Sequence, residues 1–161
     1  MDKQTGYCVI ATPIGPVRLE AEGEWLTACL PVCDQPLRAP SSPLLAEAAR
    51  QLGEYFEGQR YGFDLPLAPT SGATPFRERV WRRLGEIPYG ATASYAEIAV
   101  AIGSPRGCRA VAGACHHNPL PIFIPCHRVV GSDGTLTGYA YGLAMKRFLL
   151  DLERQCTGDS Q

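Results

Sequence analysis

Residues 120–130 constrain this chain more than any other stretch. The run is apolar almost throughout, yet it carries Pro125, Cys126, His127 and Arg128 at its centre. Pro125 fixes its own φ and biases Ile124 toward an extended conformation. The pattern predicts a short buried strand that ends at Cys126, where the chain turns. Such a turn holds a thiol rigidly at the floor of a pocket. The thiolate is the reactive form, and a free cysteine with a pKa of about 8.5 is mostly protonated at neutral pH. A nearby histidine is able to take that proton. Neighbours on a strand point to opposite faces, so a direct Cys126–His127 bond needs a turn at that point or a bridging water. Buried cysteines are usually inert packing. The pair alone therefore decides nothing, and the flanking segments matter.

Upstream, Thr74-Pro75 reads as a helix start: a capping hydroxyl, then proline at the first position. This helix carries Phe76, Val80, Trp81 and Leu84 on one side and ends between Gly85 and Pro88. Ser94 and Glu97 have capping-box spacing and open a short helix to about Ile102. Gly103-Ser104-Pro105 is a tight turn, followed by a second helix over residues 105–116. Two short helices around a glycine turn make a helix-turn-helix. The second helix presents Gly107, Ala110, Ala112, Gly113 and Ala114, with Arg109 among them. Readers of the major groove use long polar side chains. A face of small residues instead suits close approach to a narrow groove, or close helix packing, and the sequence leaves both open. Downstream come a turn at 131–134, a glycine-flanked aromatic loop at 138–142 and a terminal helix over 143–154. The tail after Cys156 is expected to fray.

The first half reads differently. Residues 7–12, 16–21 and 25–31 alternate as an antiparallel meander. Ser42 caps a helix that starts at Pro43 and ends at Gly58, with Leu44, Leu45, Ala48, Leu52, Tyr55 and Phe56 at helical spacing. Residues 61–67 are a candidate further strand, and 66–74 a linker. The expected fold is α+β. An N-terminal domain of a small antiparallel sheet and a helix (1–73) supports a mostly helical C-terminal domain with a helix-turn-helix (74–161).

Composition narrows the function classes. No run approaches the roughly 20 apolar residues of a membrane span, and no signal peptide is visible, so a cytoplasmic protein with no membrane partner is expected. Seven cysteines without framework spacing read as reduced thiols. Cys8, Cys29 and Cys33 hint at zinc, but no histidine precedes His116, so no metal is assigned. Residues 1–74 hold 5 basic and 9 acidic side chains, and residues 75–161 hold 10 and 7. A polyanion would favour the second half; an unevenly charged solvated surface explains the same balance.

The second half resembles the O6-alkylguanine-DNA alkyltransferases, whose active-site motif is PCHRV. The likeness covers residues 74–153, roughly half the chain, through PFRERVW, SYAEIA, RAV-G, NP, IPCHRVVG, GYA and KRFLLDLE in the family's order. It implies DNA repair without a cofactor, by a monomer that flips an alkylated base from the minor groove of double-stranded DNA. Cys126 would be the alkyl acceptor, His127 the base acting through a water, and Glu153 the carboxylate polarising His127. Asn118 would brace the turn. Tyr95 would contact the target phosphate and protonate the leaving guanine at N3. Arg109 would fill the gap in the base stack, with Ala110 and Gly113 on the groove-facing helix. Carbonyls of Cys126 and Val129 would accept from the guanine amine, the Ala140 N–H would reach O6, and Tyr139 would line the pocket. Many relatives have glycine where this chain has Tyr141, which is expected to crowd a large alkyl group if its ring points inward. Arg128 is expected to make structural hydrogen bonds. Relatives carry arginine or small residues where His116 and His117 stand here, and the roles of both stay open.

Two other functions compete. A cysteine hydrolase needs an oxyanion hole and a residue orienting the histidine. Glu153 would serve as the orienter, but a helix-turn-helix has no use in so small a protease. A module that only binds alkylated DNA would not need Cys126. Thiolate attack on a saturated carbon gives a thioether that water does not hydrolyse, so such a protein is consumed once per lesion.

Overall fold

A computed structural model describes residues 5–157. The frayed tail expected after Cys156 lies largely outside these residues. The chain divides into two compact units, Met1–Ser71 and Gly72–Gln161.

In the first unit, β1 (Thr5–Ile10), β2 (Val17–Glu22) and β3 (Trp25–Pro31) form an antiparallel sheet in the order β1-β2-β3. The pairing aligns Cys8, Leu19 and Cys29 across the three strands, and all three are fully buried. Helix α1 (Pro43–Phe56) starts where Ser42 accepts from the Leu45 N–H, and it buries Leu45, Ala48, Leu52, Tyr55 and Phe56. Residues 61–67 do not form the expected strand. Their only ladder contact is a bridge from Leu26 to Leu67. The buried Gln51 amide satisfies both the N–H and the C=O of Asp64, so this backbone has no need of a sheet.

In the second unit, α2 (Pro75–Leu84) is capped by Thr74, and α3 (Tyr95–Ala101) carries the complete Ser94–Glu97 capping box. Helix α4 is Cys108–His116 and starts later than the sequence suggests. Residues 104–107 form a separate turn, closed by the Gly107 N–H on the Ser104 carbonyl at 2.8 Å. The Trp81 indole N–H donates to the Ala114 carbonyl at 2.8 Å and locks α2 against α4. Val80, Leu84, Ile98, Val111, Leu120 and Leu149 fill the core between the helices. Two short strands, β4 (Ala93–Ser94) and β5 (Val129–Val130), pair in parallel. Helix α5 (Leu143–Thr157) closes the unit.

The run 120–130 is buried throughout except for its half-exposed last neighbour Gly131, but it is not a strand. Pro119, Pro121 and Pro125 remove the donors a strand would need. The chain loops instead. Ile122 adopts φ 76, unfavourable for a β-branched residue. Asn118 ties the loop down, donating to the Ile124 carbonyl at 2.8 Å and accepting from the Leu120 N–H at 2.9 Å. At Pro125 (φ −80, ψ 66) the Cys126 N–H bonds the Ile124 carbonyl at 2.8 Å, an inverse γ-turn. Residues Cys126–Arg128 then make one turn of 3-10 helix. The turn expected at Cys126 is there; the strand before it is replaced by an Asn-braced loop.

Candidate active site

This loop delivers Cys126 to the floor of a cavity of about 520 Å³. One wall is α4, through Cys108, Arg109, Ala112, Gly113, Cys115 and His116. The opposite wall is Tyr95 with the loop at Thr137, Gly138, Tyr139 and Ala140. The Cys126 side chain also hydrogen-bonds Asn118, so one asparagine shapes the loop and touches the thiol. Burial pushes the Cys126 thiol up to about 11, opposed by the Asn118 bond and by the charge of Lys146.

Beneath the floor lies a sealed ionic cluster. His127 and Glu153 are fully buried. His127 Nε2 lies 2.6 Å from Glu153 Oε2. Arg128 grips the same carboxylate with two bonds, Nε to Oε1 at 2.8 Å and Nη2 to Oε2 at 3.0 Å, and donates Nη1 to the Ile87 carbonyl at 2.8 Å. The Gly90 N–H adds a bond to Oε1 at 3.2 Å. Burial works against the Glu153 charge, but the bonds and charges of His127 and Arg128 outweigh it and hold the carboxyl at about 2. Burial lowers the His127 pKa, with Glu153 opposing. The consistent state is an ionised Glu153 paired with Arg128 and a neutral His127 donating Nε2–H. The tautomer then leaves a lone pair on Nδ1, which is buried without a hydrogen-bond partner. The carboxylate thus fixes the orientation of the imidazole.

The other side of the site centres on Lys146, which is fully buried. Its ammonium donates to the Gly138 carbonyl at 3.1 Å, the Thr137 carbonyl at 3.2 Å and the Tyr95 hydroxyl at 3.4 Å. Tyr95 in turn donates to the Thr137 carbonyl at 2.8 Å. Burial raises the Tyr95 pKa and lowers that of Lys146. Gly138, at φ 60, lets the loop present two successive carbonyls to one ammonium.

Among the residues singled out from sequence, Cys126, Asn118, His127 and Glu153 come together at and below the floor. Tyr95, Arg109, Gly113, Tyr139 and Ala140 surround the cavity above it. Ala110 is exposed on α4 but does not line the cavity, and the Val129 side chain is fully buried. Tyr141 also stands off the cavity; its ring packs edge-on against Tyr139, centroids 5.8 Å apart. Sequence reasoning missed Lys146, whereas the structural hydrogen bonds expected of Arg128 are present. A signal existed: Lys146 and Glu153 fall on the α5 stripe that includes Leu149 and Leu150, so two charges occupy an apolar face.

Fold and site together define a class: a two-unit α+β protein in which a helix-turn-helix forms the wall of a cysteine pocket. Residues 75–155 match the DNA binding domain of 6-O-methylguanine DNA methyltransferase, and residues 6–69 match its ribonuclease-like domain. The chain belongs to the 6-O-methylguanine DNA methyltransferase family. The methylated-DNA–protein-cysteine methyltransferase of Methanosarcina barkeri is 45% identical over 91% of this chain and 96% of its own length. The constitutive enzyme of that name from Bacillus subtilis is 54% identical over 70% of this chain and 68% of its own. The crystal structure of Mycobacterium tuberculosis O6-methylguanine methyltransferase superposes with a TM-score of 0.85 at 40% identity, covering 98% of this chain and 97% of that one. A Mycobacterium tuberculosis OGT structure in complex with DNA has the same TM-score at 42% identity, covering 93% of each chain.

Proposed function

We propose that this protein repairs DNA by direct reversal, moving the alkyl group of O6-alkylguanine irreversibly to Cys126 without a cofactor. The observation that carries this reading is the buried His127–Glu153 pair, joined at 2.6 Å, with the unpartnered Nδ1 of His127 next in the chain to a cysteine that lines the cavity. The Cys126 proton passes to Nδ1 through a water, and Glu153 stabilises the imidazolium that forms. The thiolate sulfur attacks the alkyl carbon, the C–O6 bond breaks, and its electron pair leaves with guanine. Tyr95 supplies a proton at N3 of the departing base. The carbonyls of Cys126 and Val129 accept from the guanine amine, the Ala140 N–H donates to O6, and Tyr139 flanks the ring. The product thioether does not hydrolyse, so each chain acts once.

A base inside a duplex does not reach a buried thiol, so the damaged nucleotide is flipped into the cavity. The monomer approaches the minor groove with residues 74–161. The small residues of α4, including Ala110 and Gly113, permit close contact, and the exposed Arg109 at the cavity mouth fills the vacated stack. Peptide mapping after mixing with a duplex containing O6-methylguanine tests the assignment. One methyl group on Cys126 is expected, and Cys126→Ser should bind the duplex without reacting. A methyl group on any other residue, or none, overturns it.

A further inference from the structure

Cys115 is a second thiol in the wall of the Cys126 cavity. It is free and half-buried, and it stands near the end of α4. Charge on either cysteine acts on the same two groups, the Tyr95 hydroxyl and the Lys146 ammonium. The ammonium is fixed in place by its three hydrogen bonds. Cys108 also lines the cavity, but only Cys115 and Cys126 act on the phenol and the buried cation, so these two sulfurs share one neighbourhood. A second nucleophile there has no task when the transferred group is methyl, because a methyl thioether is inert. It has one when the transferred group carries a leaving group of its own.

We infer that the cavity is a two-thiol site for bifunctional alkyl adducts, in which a 2-haloethyl group taken up by Cys126 is bridged to Cys115 as an ethylene dithioether. This rests on the alkyl-transfer reading above. In the first step the Cys126 thiolate takes the haloethyl carbon from O6, as it would a methyl group. The new thioether sulfur then displaces halide from the neighbouring carbon, giving a three-membered episulfonium ring. Cys115 sulfur opens that ring: a new C–S bond forms, the ring C–S pair returns to Cys126, and the Cys115 proton passes to solvent. The steps after transfer release one hydrogen halide and need no oxidant or reductant.

Water competes for the episulfonium, but a thiol held in the same cavity has the advantage of proximity. Burial raises the Cys115 pKa, and negative charge on Cys126 raises it further, while Lys146 opposes both. The episulfonium sulfur on Cys126 carries a positive charge, which acts with the ammonium to favour ionisation of Cys115 while the ring is open to attack. Bridging would also consume a reactive carbon that otherwise lies open to attack by DNA.

The test uses the full chain and a freshly prepared duplex carrying O6-(2-chloroethyl)guanine, with an O6-methylguanine duplex run in parallel. Trypsin releases residues 110–128 as one peptide that contains Cys115, Cys126 and no other cysteine. The expected product is this peptide with an internal ethylene bridge and no thiol able to take up iodoacetamide. It should exceed the hydroxyethyl product by roughly tenfold or more. In Cys115→Ser the hydroxyethyl thioether on Cys126 should replace the bridge. Hydroxyethyl Cys126 beside a free Cys115 in the unmodified sequence overturns the inference, as does a bridge from Cys126 to DNA. Methyl transfer without chloroethyl transfer overturns it and leaves the repair reading standing; failure of both transfers sinks the two together.

Discussion

Glu153 joins the chemistry of the site to the stability of the fold. It is fully buried, yet it binds an imidazole, a guanidinium and a backbone N–H. Glu153→Gln would strand the buried Arg128 charge, and breaking such a pair costs about 3–5 kcal/mol. A urea titration should show that loss, and the rate of methyl transfer should fall by roughly 10²–10⁴ as His127 loses its orienting anion. An unchanged urea midpoint would show that Arg128 finds another partner. The pH dependence follows from the same cluster. Glu153 falls from its usual 4.5 to about 2, so its contribution is present above 4.5 and is lost as pH drops toward 2. His127 is lowered from 6.5, so its contribution also stands above 6.5 and declines as the solution is acidified. Both shifts have the same sign, because the unfolded chain binds more protons. Stability should therefore rise with pH from about 2 to 6.5, and Glu153→Gln should flatten the acid part of that curve in denaturation measured at several pH values. Tyr141 gives a sharper test of selectivity. Its ring packs on Tyr139 and not in the cavity, so Tyr141→Gly should leave the ratio of O6-benzylguanine to O6-methylguanine rates unchanged. A large gain for benzyl alone would place the ring over the substrate.

Helices α4 and α5 place different groups at the site. Helix α4 presents Arg109 outward while Val111 and Ala114 anchor it in the core. Arg109→Ala should keep a reactive thiol but repair duplex DNA more slowly, since nothing fills the gap left by the flipped base. Single-turnover rates on duplex and on the free modified base separate the two effects; wild-type duplex rates would contradict the finger assignment. Helix α5 sets Lys146 under the cavity and Glu153 under the thiol loop, two turns apart on one face. Local signals were read correctly wherever the physics is local. Thr74 and Ser94 cap the helices they were expected to cap, because a cap depends on three or four neighbouring residues. The site's deeper layer was not legible. Nothing near Glu153 in sequence says that Arg128, 25 residues away, will hold it. The 120–130 run is buried without being a strand, because three prolines and Asn118 specify a loop. The parallel pairing of Ala93–Ser94 with Val129–Val130 is equally long-range.

Across the whole molecule, charge is unevenly divided between the two halves of the chain. Basic residues exceed acidic ones only in the second half of the chain, and not by much. Binding to DNA should weaken with added salt, but with a shallow slope, because few phosphates are neutralised. A steep slope in a salt titration would imply a basic surface beyond α4. The α+β character was legible because the strand alternation of residues 7–31 gives way to helical spacing from Pro43 onward. No helix among the described residues is long and apolar enough to cross a membrane. The central claim is that Cys126 is a single-use acceptor, and the most direct measurement is a count of methyl groups transferred. The protein is mixed with a large excess of duplex bearing labelled O6-methylguanine, and label on protein and label lost from DNA are followed to completion. The account predicts that both stop together at one methyl group per chain, all of it on Cys126. Continued loss of label from the DNA past that point, with Cys126 unmodified, would contradict it.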